Sequence, residues 1–100
     1  MDFEWNEEKR QSNLKKHGVD IFDAALIFDD ECLTVEDQRY DYGEIRLRST
    51  GVVDGQCYVV IHTDRDGIIR LISAWKGGRR DRRDLETYLF GRNKGDEEQG

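Results

Sequence analysis

Glu44-Ile45-Arg46-Leu47-Arg48-Ser49-Thr50-Gly51-Val52-Val53, Asp54-Gly55 and Gln56-Cys57-Tyr58-Val59-Val60-Ile61-His62-Thr63 follow one another without a break. The opening stretch, 44–50, alternates with period two, as a strand buried on one face does. Asp-Gly is a strong two-residue hairpin signal, because both residues tolerate the positive φ of a type I′ turn. Residues 56–63 read as a central apolar strand. A two-residue turn fixes the register. Val53 then faces Gln56, Gly51 faces Tyr58, Ser49 faces Val60 and Leu47 faces His62. The other face pairs Arg46 with Thr63, Arg48 with Ile61 and Thr50 with Val59.

Downstream, Asp64-Arg65-Asp66-Gly67 makes a second turn and 68–74 a final strand. Either loop length there puts Arg70 on the face of Ile61 and Val59. Lys76 shares its parity. One face thus gathers Arg46, Arg48, Arg70 and Lys76 over Ile61, Val59 and Ile72. The opposite face carries Ile45, Leu47, Val60, Ile69 and Leu71 and suits packing under helices, and a single bulge would flip part of this assignment. Residues 79–89 form a third helix with Leu85, Tyr88 and Leu89 as apolar contacts. From Gly91 onward the chain reads as a polar, disordered tail.

Upstream, Asn6 caps a first helix with Glu7 and Glu8 in its first turn, and Gly18 sits at its left-handed C-cap. Asp20 caps a second helix, in which Ile21, Ala24, Ala25 and Phe28 recur at helical spacing. Leu33-Thr34-Val35 reads as a short strand and 36–43 as a polar turn. The fold class is α+β. Two N-terminal helices pack on a four-stranded antiparallel sheet, followed by a C-terminal helix. One domain spans 1–90 and the tail 91–100.

The chain has 100 residues, 38% of them charged and 36% hydrophobic, with a mean hydropathy of -0.86. That bounds it to one domain with a small core. No apolar run approaches the ~20 residues of a membrane helix. The N-terminus lacks a basic-then-apolar leader, so the expected location is cytoplasmic. Cys32 and Cys57 lack zinc-ligand spacing and read as two reduced thiols. The net charge of -6 is uneven: residues 1–64 carry -8, residues 65–94 carry +5, and the last six carry -3. A global field attracting nucleic acid is excluded, while a local basic patch is not.

Arginine presents a fixed, permanently charged fork that matches phosphate oxygens. Arg46, Arg48 and Arg70, with Lys76 and Arg79, Arg80, Arg82 and Arg83 beyond, therefore point to an anion site rather than a merely solvated sheet face. Gly77-Gly78 before a basic helix is a weaker phosphate signal. His17 reads as a helix-end residue and His62 as a hydrogen-bonded structural imidazole. Asp29-Asp30-Glu31 and Glu36-Asp37 lack calcium-loop spacing, so a solvated acidic loop is favoured. No metal or other cofactor is expected. No GxSxG, HExxH, P-loop or GxGxxG motif occurs.

A set of residues in order then resembles one family. Phe3-x-Trp5-Asn6, Lys9, Asn13, Lys16-His17-Gly18-Val19 and Phe22-x-x-Ala25 are similar to the N-terminal signature of BrnT toxins. Arg39, Tyr42-Gly43-Glu44, Arg46, Gly51, Asp54-Gly55, Val59-Val60, Ile69-Arg70-x-Ile72-Ser73-Ala74, Lys76 and the 79–83 cluster continue it. The resemblance implies a RelE-like fold and a ribonuclease that blocks translation by metal-independent attack of a 2′-hydroxyl on its phosphate. It also implies a BrnA-like antitoxin, through which alone the pair would reach operator DNA. On this reading Arg46, Arg70 and Lys76 are catalytic, with Glu44 and Tyr58 as weaker proton-transfer candidates. Arg48, Arg79, Arg80 and Arg83 bind RNA phosphates. Trp75 stands where the family usually has arginine, which leaves three readings: weakened catalysis, stacking on a base, or packing at the strand end. Its parity points to the helix side and favours packing. An inactive, antitoxin-binding co-repressor is the alternative function.

Overall fold

The computed structural model describes the backbone of residues 1–39 and 43–99, and the side chains of these as far as Gly91. Tyr42 of the quoted motif lies outside the described residues. The elements are β1 (Asp2–Glu4), α1 (Glu7–His17), α2 (Ile21–Ala24), a 3-10 turn (Ala25–Asp29), β2 (Leu33–Glu36), β3 (Leu47–Val53), β4 (Gln56–Arg65), β5 (Ile68–Lys76) and α3 (Arg79–Gln99). The fold is α+β. The expected four-stranded antiparallel sheet is instead five-stranded and mixed, in the order β1-β5-β4-β3-β2, with β1 parallel to β5. β1 is too short for periodicity to reveal, and Phe3 is its only inward apolar residue.

The helix starts follow local chemistry. Asn6 Oδ1 accepts the Lys9 N–H at 3.1 Å, and Gly18 closes α1 at φ 69°. Asp20 Oδ1 accepts the Phe22 N–H at 3.0 Å and also binds Arg10, tying α2 to α1. The second helix is a single α turn that tightens into 3-10 geometry.

The β3–β4 hairpin has the expected register throughout, from Val53 facing Gln56 to Leu47 facing His62. β3 begins at Leu47 rather than Glu44, because β2 ends opposite it. Ile45 is therefore exposed instead of packed under the helices. Val19, Ile21, Ala24, Ile27, Val60, Leu71 and Ala74 form the core between the sheet and the N-terminal helices, each large aliphatic contributing about 1.5–3 kcal/mol on burial.

α3 packs against β3 and β4 with Leu85 buried. Val59 and Ile61, expected as apolar surface beneath the cations, are buried within the chain itself at 0% and 2% exposure. The sequence puts the end of α3 near Leu89, whereas its backbone stays helical to Gln99. No proline interrupts it.

Candidate functional site

The site is shaped by one irregularity between β4 and β5. His62 faces Leu71, yet Ile61 faces Ser73, so Ile72 is an extra residue on β5. Beyond this bulge the alternation is reversed from the expected one. Lys76 faces Tyr58 on the face under the N-terminal helices, while Trp75 faces Val59 and shares the face of Arg48. Lys76 therefore leaves the basic face and Trp75 joins it, which overturns the expected packing of Trp75 on the helix side. Asn13 holds the arrangement. Its Oδ1 accepts the Ala74 N–H at 3.1 Å and the Ser73 hydroxyl at 3.0 Å, while its Nδ2 donates to the carbonyls of Ala74 and Val19 at 2.8 and 3.0 Å. α1 thus serves the edge of β5 where β1 has ended.

On the face of Trp75, a groove of about 710 Å³ runs between the β2–β3 edge and the start of α3. Leu33, Val35, Arg39, Arg48, Thr50 and Arg80 line it, with Asp37, Asp81 and Asp84. Arg39 binds the buried Asp37 carboxylate through Nε at 2.8 Å and Nη2 at 3.0 Å. Arg48 Nη2 donates to Asp81 Oδ1 at 2.6 Å. Both guanidinium groups also approach the Trp75 ring, 5.4 Å (Arg39) and 5.8 Å (Arg48) from its centroid. Such cation–π geometry and the paired carboxylates order two otherwise flexible side chains.

The other expected residues divide around this groove. Arg70 lies on the same sheet face, opposite Thr63, and pairs with Glu4 at 3.2 Å. Arg46, just before β3, pairs with Glu44 at 3.4 Å. Arg80 lines the groove, whereas Arg79 and Arg83 are exposed on α3 and do not. Arg82 donates to the Gly55 carbonyl at 3.0 Å and fastens α3 to the hairpin turn. Tyr58 sits on the helix-packed face, as expected.

The glycine pair before α3 has a packing cause: a Cβ on Gly77 would stand 2.5 Å from Cys57 Sγ. The Gly78 N–H already donates to Asp81 Oδ2 at 2.9 Å. That amide is thus taken by a carboxylate within the chain. His62 is the hydrogen-bonded structural imidazole expected, with Asp64 on Nδ1 at 2.7 Å and Ser49 on Nε2 at 2.8 Å. The Asp64–His62–Ser49 order imitates a hydrolytic triad, but Ser49 is fully buried and open to no substrate. Among the described residues no group of three or more His, Cys, Asp or Glu side chains is placed to hold a metal.

The resemblance includes both Arg39 and His17 and gives neither a role at a site, and helix-end chemistry alone accounts for His17 in the sequence. The structure sets both beside Trp75, the His17 ring at 5.9 Å between centroids. The only signal for this cluster was the bulge, which period-two reading does not carry.

Chemically the groove offers cations held by carboxylates, and the Trp75 indole stands beside two of them with the exposed His17 imidazole next to it. Comparison with curated proteins gave no match. Residues 5–81, about three quarters of the chain, match the family model described as "Ribonuclease toxin, BrnT, of type II toxin-antitoxin system". On that match, which runs from α1 through β5 to the start of α3, the chain belongs to the BrnT family of ribonuclease toxins.

Proposed function

We propose that this chain is an endoribonuclease that cleaves by attack of a 2′-hydroxyl on its adjacent phosphate, with no metal in the step. The observation that carries the reading is the gathering of Arg39, Arg48 and Trp75 on one sheet face, with Arg80 on the facing wall. Preorganised guanidinium groups stabilise the charge that builds on a phosphorane-like transition state. Arg48 and Arg39 take the scissile phosphate, and Arg46, just before Leu47, and Arg70, opposite Thr63, both extend the cation track toward the same end of the sheet. Arg80 contacts the strand from α3, with Arg79 and Arg83 beyond it.

As the 2′-oxygen bonds to phosphorus the P–O5′ bond breaks, so attack also requires a group that takes the 2′-hydroxyl proton and a group that gives a proton to the departing 5′-oxygen. Lys76, expected in that role, stands on the opposite sheet face. We assign both to His17, exposed beside the Trp75 ring that Arg39 and Arg48 also approach, since an imidazole can do both. Cleavage of RNA in the cytoplasm would block translation, and a BrnA-like antitoxin would neutralise the chain and carry the pair to operator DNA. No described helix is long and apolar enough to cross a membrane.

A second reading, an antitoxin-binding module that does not cleave, is favoured by Asp37 and Asp81, which already neutralise both central arginines. Purified chain incubated with RNA in the presence of a chelator separates the two. Cleavage leaving 2′,3′-cyclic phosphate ends, reduced at least 100-fold in Arg48→Ala, supports the enzyme. Intact RNA with a correctly folded chain supports the binding module.

A further inference from the structure

We infer that Trp75 is a base-stacking subsite, which makes an unpaired nucleobase next to the bound phosphate part of what this chain recognises. The inference rests on the RNA-binding reading of the groove, and it names the substrate feature that reading leaves open. The bulge at Ile72 turns Trp75 away from the helix-packed face and onto the face of Arg48. There its ring is half-buried rather than sealed in the core, and it is absent from the hydrophobic cluster between sheet and helices. An indole with two guanidinium groups within 6 Å of its centroid combines the two contacts a single-stranded nucleotide needs. Stacking is available to any base, and each fork takes a phosphate oxygen.

The carboxylate partners, Asp37 and Asp81, hold the forks in place, and Arg48, tethered through Nη2, keeps further N–H donors for a phosphate. A base inside a duplex has both faces covered by its neighbours, so this subsite selects single-stranded or looped RNA. If the ring served only to order the two arginines, its chemistry toward a base would not matter. The two roles differ in what an oligonucleotide without a base does.

The test uses a 2′-O-methyl RNA hexamer, which cannot be cleaved, and the full chain carrying Trp5→Phe, so that Trp75 is the only tryptophan. Trp5 packs edge-on against Phe22 outside the groove. The expected result is saturable quenching of Trp75 fluorescence by the hexamer. Hexamers with a single abasic position, scanned along the strand, should bind about tenfold more weakly at one position. Trp75→Leu should weaken binding of the complete hexamer by the same factor and be indifferent to the abasic position, while Trp75→Phe should restore both. Equal affinity for every abasic hexamer in the unsubstituted chain, which needs no Trp75 variant to fold, overturns the inference. So does quenching that never saturates. A chain that shows the abasic effect but cleaves nothing overturns the ribonuclease proposal and leaves the stacking subsite standing.

Discussion

Asp81 decides how much of the charge on Arg48 reaches the groove. One of its oxygens takes the guanidinium and the other the Gly78 N–H, so the same carboxylate starts α3 and tethers the cation. Asp81→Asn keeps an oxygen for Gly78 while removing the negative charge. We expect it to tighten binding of an uncleavable RNA oligomer about threefold or more, as loss of one nearby like charge does in a half-exposed setting. Unchanged affinity would mean that phosphate never meets Arg48. The two thiols give a second check at this scale. Cys57 is fully buried beneath Gly77, and burial pushes its thiol up despite the opposing field of Arg82. Since only the thiolate alkylates, one equivalent of iodoacetamide should react at mildly alkaline pH, at the half-buried Cys32. The second should react only after denaturation. Labelling of both thiols in the native chain would show that the β4–α3 contact opens readily.

At the level of elements, Asn13 and Asp20 do the joining. Asn13→Ala leaves the buried Ala74 N–H and carbonyl without their partners. An expected loss of about 3 kcal/mol follows from unsatisfied backbone groups in a dry site, read from urea unfolding. A loss below about 1 kcal/mol would show that water reaches this edge. Asp20 accepts Arg10 Nε at 3.0 Å and Nη2 at 2.7 Å, and these bonds, with the Phe22 N–H, hold its carboxyl below the usual carboxylate range. Its folded value lies below its unfolded one. The α1–α2 clamp is thus at full strength above about pH 4–5 and weakens as pH falls through the folded value. The acid limb of stability should flatten in Asp20→Asn, and an unaltered limb would assign it to other carboxylates. These joints also explain what could be read in advance. The β3–β4 register was legible because Asp54-Gly55 fixes it locally, and the caps of α1 and α2 were legible for the same reason. β1 was not, since three residues pair in parallel with a strand more than sixty positions away. Nor was the face of Trp75, because the bulge is held by Asn13, equally distant in sequence. Period two carries across a strand only while nothing inserts a residue. The arginines of the hairpin were therefore placed correctly, and Lys76 and Trp75 were exchanged.

For the whole molecule the question is how a chain of net charge -6 binds a polyanion at all. Its charge is divided: -8 over residues 1–64 against +5 over 65–94. Arg39 and Arg48, from the acidic part, face Arg80 from the basic part across one groove. Attraction is therefore confined to a few placed side chains, with repulsion from the rest of the surface, and it acts within roughly 10 Å at moderate salt. A site of this kind holds about three phosphates. Each phosphate neutralised on a single strand contributes about -0.7 to the slope of log K against log salt. We expect a slope near -2 for an uncleavable RNA oligomer, and no measurable binding of duplex DNA by the chain alone at physiological salt. A helix cluster that dominated instead, with Arg79, Arg82 and Arg83 all engaged, would give a slope beyond about -4 and appreciable duplex binding. A slope near zero would leave stacking on Trp75 as the sole contact and remove the phosphate from the site. Measuring the slope again in Arg48→Ala assigns it: a change of about one phosphate places Arg48 on the strand, and no change places it only on Asp81.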